Sequence, residues 1–124
     1  VRVLVVEDNI DSAQMMAFIL KLGGHEVLMP HDGQKALEAP LTFKPQVVLC
    51  DIGLPGMNGY EFAAQLRVHP DFRQIPLIAL TGYGQEEDRQ RTRAAGFDYH
   101  LVKPVEPDAL NALLNSLLSE ERAK

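Results

Sequence analysis

The sequence predicts an α/β fold, a doubly wound parallel sheet of five strands with five helices on its two faces. Three observations predict it. Short β-branched apolar runs recur at Val3-Leu4-Val5-Val6, Val47-Val48-Leu49-Cys50 and Pro76-Leu77-Ile78-Ala79-Leu80, and continuous apolar runs of this length belong to strands buried on both faces. Segments of helical spacing separate them. The runs also end on polar residues, namely Glu7-Asp8, Asp51 and Thr81. Strands alternating with helices imply a parallel sheet, and right-handed crossovers leave few topologies.

The elements follow in order. After the first strand, Asn9 or Asp11 is placed to cap a helix whose apolar positions are Ala13, Met16, Ala17 and Leu20. Gly23-Gly24 stops it. Glu26-Val27-Leu28-Met29 reads as the second strand, Asp32-Gly33 as a turn, and Gln34 to Ala39 as a short helix. Pro40 and Pro45 bracket a loop before the third strand at Val47. The stretch Gly53-Leu54-Pro55-Gly56-Met57-Asn58-Gly59 is turn chemistry throughout. Phe62, Ala63 and Leu66 then give helical spacing. Gln85 to Ala95 is a polar helix with acids first and arginines last, which suits its macrodipole. Tyr99-His100-Leu101-Val102 is the fifth strand, ending at Lys103-Pro104. Leu110, Leu113, Leu114, Leu117 and Leu118 stripe the last helix.

Composition narrows the function classes. The chain has 124 residues, 46% hydrophobic and 23% charged, the profile of one globular domain spanning residues 1–124. A net charge of −5 argues against direct nucleic-acid binding. No apolar run approaches the roughly 20 residues of a membrane span, so no membrane contact is expected of this domain. One cysteine, Cys50, excludes an internal disulfide and suits a reducing, cytoplasmic setting. The chain begins on Val rather than Met, as is expected either of a piece cut from a larger protein or of a chain that has lost an initiator or a tag. No repeat, low-complexity segment or linker interrupts it.

In open α/β sheets, ligands sit at the carboxyl ends of the strands, where strand order reverses. In a flavodoxin-like order, 2-1-3-4-5, the first and third strands are neighbours. Glu7-Asp8, Asp51, Thr81 and Lys103 then share one edge. Each alone has a bland reading: a solvated strand end, a turn cap, a loop opener, a surface lysine. Three carboxylates, a hydroxyl and an ammonium together are less readily explained so. Clustered carboxylates repel unless a hard cation such as Mg²⁺ relieves them. A carboxylate is also a nucleophile towards phosphorus, and a transferring phosphoryl group needs its oxygens neutralised.

Four segments carry a family resemblance. Val5-Val6-Glu7-Asp8-Asn9, Asp51-Ile52-Gly53-Leu54-Pro55-Gly56-Met57-Asn58-Gly59-Tyr60-Glu61, Ala79-Leu80-Thr81-Gly82 and Leu101-Val102-Lys103-Pro104 resemble the receiver domains of two-component response regulators, in order and over nearly the whole chain. The resemblance implies that Asp51 is the phosphoacceptor, with self-phosphorylation and self-dephosphorylation chemistry. It implies Mg²⁺ on Asp8, Asp51, the backbone carbonyl of Gly53 and, through water, Glu7. Thr81 becomes the switch hydroxyl and Lys103 the phosphate-pairing lysine, followed by a cis Lys103-Pro104 bond. The implied partner is a histidine kinase or a histidine phosphotransfer protein.

One position departs from the family pattern: His100 stands where Tyr or Phe is usual in the switch. Asp98-Tyr99-His100-Leu101-Val102-Lys103-Pro104-Val105 resembles receivers fused to hybrid sensor histidine kinases, so that parentage is expected, with a stand-alone or effector-linked regulator as the alternative. A haloacid-dehalogenase-like phosphatase would need a second acid two residues after the nucleophile, where this chain has Gly53. A flavodoxin would need a Ser/Thr/Gly-rich phosphate loop after the first strand, where this chain has acids. A pseudo-receiver would lack key residues that are present here. His25, His31 and His69 show no ligand spacing, and Cys50 is expected to be a buried small side chain.

Overall fold

A computed structural model describes residues 2–30, 35–38, 43–53, 59–81, 93–103 and 105–123. The strands are β1 (Arg2–Val6), β2 (Glu26–Leu28), β3 (Val47–Asp51), β4 (Leu77–Thr81) and β5 (Tyr99–Val102). The helices are α1 (Ile10–Leu22), α2 (described over 35–38), α3 (Gly59–Val68), α4 (described over 93–95) and α5 (Pro107–Ala123). A 3₁₀ turn, Pro70–Phe72, follows α3. All neighbouring strands pair in parallel, in the order β2-β1-β3-β4-β5. This is the predicted topology.

Alternation along each strand divides the core into two layers. Leu4, Val6, Val48, Cys50, Leu77 and Ala79 face one side and pack with Ala36 of α2 and Phe62, Ala63 and Leu66 of α3. Val3, Val5, Val47, Leu49, Ile78 and Leu80 face the other and meet Met16 and Leu20 of α1 and Leu110, Leu114 and Leu117 of α5. The apolar positions read from the sequence in α1 and α3 are all buried. In α5, Leu113 is partly buried, and the Leu118 side chain lies outside the described residues.

Local chemistry explains the helix ends. Of the two cap candidates the structure uses Asn9, whose side chain accepts from the Ser12 N–H at 3.0 Å. The Gly23, Gly24 and His25 N–H groups close on Leu20, Lys21 and Leu20 carbonyls, and Gly24 has φ +87°, which glycine adopts without a Cβ penalty. Two boundaries differ from expectation. β2 ends at Leu28, before Met29, and Gly59 is the first residue of α3 rather than the last of a turn.

Gly59 has a steric reason to be there. A Cβ on it would sit 2.7 Å from both the Asp51 carbonyl oxygen and the Ile52 Cα. Its N–H donates to the Ile52 carbonyl at 2.9 Å, so α3 starts in contact with the end of β3. At the other end of α3, Arg67 binds four carbonyls. Its guanidinium donates to the carbonyls of Phe72, Arg73, Ile75 and Gly96 at 2.6–3.1 Å and to Asp98 Oδ2 at 2.9 Å. That carboxylate also accepts the Leu77 N–H at 2.9 Å. One side chain thus ties α3 to the entries of β4 and β5. Among the described residues no helix is long and apolar enough to cross a membrane. The predicted Asp32-Gly33 turn, Met57, and the polar helix up to residue 92 lie outside the described residues.

Candidate functional site

Alternation also decides which charged groups meet. Val3 and Val5, Val47 and Leu49, and Leu101 all face the α1/α5 layer. Counting on by two puts Glu7, Asp51 and Lys103 on that same side at the carboxyl edge. Lys103 Nζ lies 2.6 Å from Glu7 Oε2 and 2.9 Å from Asp51 Oδ2. The Gly53 N–H donates to Asp51 Oδ1 at 3.0 Å, and the Asn9 N–H to Glu7 Oε1 at 3.2 Å. Asp8 is exposed. One carboxylate oxygen each from Glu7, Asp8 and Asp51 lie within 4.8 Å of one another. The edge read from the sequence therefore assembles these four side chains, contributed by the start, the middle and the end of the chain.

Burial distinguishes the acids. Glu7 is completely buried. That burial, reinforced by hydrogen bonding to the Asp51 carboxyl, pushes its pKa up to about 7 against the opposing pull of Lys103 and the Asn9 N–H. Asp51 goes the other way. Burial raises it, but hydrogen bonds from Glu7, the Gly53 N–H and Lys103 outweigh that, and its carboxyl is lowered. Lys103 loses to burial and gains more from its two acid partners, so its ammonium is held on. Below about pH 7 the pair thus keeps its proton on Glu7 and its negative charge on Asp51.

The sequence reading gave Glu7 to a metal through water. It did not foresee a buried acid in direct contact with Lys103, 96 residues along the chain. Only the Lys103 ammonium at the end of β5 hints at it. Three acids offering only oxygen suit a hard divalent cation, and Mg²⁺ takes few carboxylates and keeps its waters. The cluster fits that group.

Thr81 ends β4, 6% exposed, and its Oγ1 has no hydrogen-bond partner among the described residues. By alternation from Leu77 and Ala79 it faces the α3 layer, opposite to Asp51. His100 is half-buried, pairs in register with Ala79 and lies on the same face as Thr81. The Lys103-Pro104 bond lies outside the described residues. Burial, then the charges of Asp51 and Glu7, push the Cys50 thiol well above its usual range, which leaves it protonated and unreactive. His69 caps the 3₁₀ turn by accepting the Asp71 N–H and His25 is half-buried after α1; neither is near the acids in sequence or role.

Comparison with known proteins gives one answer. The family model described as "Response regulator receiver domain" matches residues 3–115. The chain is similar to Protein PilH of Pseudomonas aeruginosa, 32% identical over 95% of this chain and 98% of that protein. Its fold superposes on the chemotaxis protein CheY4 of Vibrio cholerae with TM-score 0.89 at 32% identity, covering 93% of this chain and 96% of that one. It superposes on the receiver domain of the sensor histidine kinase PA1611 of P. aeruginosa, which has a magnesium ion coordinated in its active-site cleft, with TM-score 0.86 at 29% identity, covering 93% and 94%.

Proposed function

Because the chain belongs to the response-regulator receiver family, we propose that residues 1–124 act as one receiver domain that takes a phosphoryl group on Asp51. The observation that carries this reading is the state of the Asp51 carboxylate. It is lowered in pKa, fixed at Oδ1 by the Gly53 N–H and faced at Oδ2 by Lys103, beside two further acids.

An Asp51 oxygen attacks the phosphorus of a phosphohistidine in line. The P–O bond forms as the P–N bond breaks, and the imidazole leaves carrying a proton. Mg²⁺ held by Asp8, Asp51 and the Gly53 carbonyl, with Glu7 through water, would neutralise charge on the phosphoryl oxygens. The Lys103 ammonium, already at Asp51 Oδ2, pairs with one of those oxygens. The buried Thr81 hydroxyl, with no partner of its own among the described residues, donates to another. That movement opens the space between Thr81 and His100, through which His100 reports the phosphorylated state.

The donor is a histidine kinase or a histidine phosphotransfer protein, and the setting is the cytoplasm. Likeness to the receiver of PA1611 supports parentage in a hybrid sensor histidine kinase. The near full-length match to PilH supports a stand-alone regulator. The acceptor chemistry is the same in both. Intact-mass measurement after treatment with acetyl phosphate and Mg²⁺ tests it. Wild type gains one phosphoryl mass and Asp51→Asn gains none; an equal adduct on the Asn variant refutes the assignment.

A further inference from the structure

Helix α1 is apolar on two sides, and the protein core covers only one. Ala13, Met16, Ala17 and Leu20 are buried. Met15, Phe18 and Leu22 are 63%, 62% and 74% exposed, and their spacing of three and four puts them in a single stripe. Half of the exposed large hydrophobic residues among those described, Ile10 included, belong to this one helix. The stripe borders a mostly apolar groove of about 410 Å³ against α5, with Pro107 and Asn111 on its far wall. An exposed apolar stripe beside a groove marks an association surface rather than a solvated face.

The charges on α1 indicate what covers it. Asp11, exposed, stands at one end of the stripe and Lys21, exposed, at the other. They are ten residues apart, about 15 Å along the axis at ~1.5 Å per residue. Two-fold antiparallel packing of this helix on a copy of itself, centred between Met15 and Phe18, sets each Met15 against the other Phe18. The same operation sets each Asp11 level with the other Leu22 and one residue from the other Lys21, whose long side chain reaches it from the flank of the stripe, twice by symmetry. The stripe is thus complementary to itself in charge as well as in apolarity, as an isologous interface requires.

We propose that α1 pairs with α1 of a second copy of this chain in a weak, antiparallel, two-fold dimer. The apolar patch is a few side chains wide, below the standard interface size, so association is concentration-dependent.

Sedimentation equilibrium of the full chain up to about 1 mM, the weak end of meaningful affinity, tests it at low salt. Wild type should show a monomer–dimer equilibrium. Phe18→Ser with Leu22→Ser should be monomeric, with the wild-type melting temperature at dilutions where wild type is itself monomeric, because both side chains are exposed. Asp11→Lys and Lys21→Glu should each weaken dimerisation at least fivefold, and the double variant should recover it. A wild type that stays monomeric, or a double variant no tighter than either single one, overturns the proposal. So does an α1 face whose NMR shifts respond to a histidine phosphotransfer protein and not to protein concentration.

Discussion

Adding one methyl group at Gly59 should disturb both the stability of this fold and its acidic edge. The Cβ of Gly59→Ala would stand 2.7 Å from the Asp51 oxygen and the Ile52 Cα, and 3.2 Å from the Asp51 carbonyl carbon. All three are backbone atoms, so no side chain can swing aside. Restoring ordinary contact near 3.4 Å requires α3 and the end of β3 to separate by about 0.7 Å, which stretches the 2.9 Å hydrogen bond from Gly59 N–H to Ile52. Overpacking of this kind costs about 1–3 kcal/mol and the weakened hydrogen bond about 1 kcal/mol. The helix preference of alanine over glycine returns at most about 1 kcal/mol. The expected net loss is about 2 kcal/mol, or about 8 °C in Tm for a chain of this length. Gly53→Ala is the control. Its Cβ would meet only Asp51 Oδ1 at 3.8 Å, so its stability should stay within about 0.5 kcal/mol. Urea denaturation of both variants with a common m-value measures the difference. If Gly59→Ala proves as stable as Gly53→Ala, the close approach of α3 to β3 is wrong.

The raised Glu7 pKa makes metal-free stability depend on pH. Between about 4.5 and about 7 the folded state binds the Glu7 proton and the unfolded state has lost it, so stability must fall as pH rises through that window. Glu7→Gln should flatten the slope, and a slope equal to wild type in urea titrations from pH 5 to 7.5 would exclude Glu7 as its source. Mg²⁺ should raise the melting temperature of wild type by binding linkage and that of Asp8→Asn markedly less; identical shifts across a Mg²⁺ series would remove Asp8 from the site. Arg67→Met should lose about 3 kcal/mol by orphaning four carbonyls and Asp98, and Arg67→Lys should recover only part, since an ammonium lacks the planar fork. A fully stable Arg67→Met in chemical denaturation would show those contacts to be dispensable.

The sheet was legible in the sequence because its strands are buried on both faces. Val47 to Cys50 can only be a strand at that length, and Phe62, Ala63 and Leu66 can only share a helix face. The charged edge was legible through topology: once β1 and β3 are neighbours, Glu7, Asp8 and Asp51 converge. What escaped were relations made by backbone atoms and by burial. Arg67 recognises carbonyls, which every residue carries and no sequence pattern displays. Gly59 is demanded by a close approach of two main chains, yet it stands in a run of turn residues that explains it equally well. Glu7 reads as a solvated strand end until the packing closes over it. Asn9 and Asp11 were both competent caps, and only the path of the chain out of β1 selects Asn9.

The alternation that sorts the core into two layers has a consequence for how such a domain can change over time. Asp51, Glu7 and Lys103 continue the layer of α1 and α5, while Thr81 and His100 continue the layer of α3. The sheet is a wall between these compartments, and its carboxyl edge is where they communicate. The sheet separates substitutions on the outward surface of α1 from the residues around Thr81, and those on the outward surface of α3 from the α1 layer. A lineage can therefore remodel one exterior to meet a new neighbour while the opposite exterior keeps its own, with the sheet and its carboxyl edge shared between them.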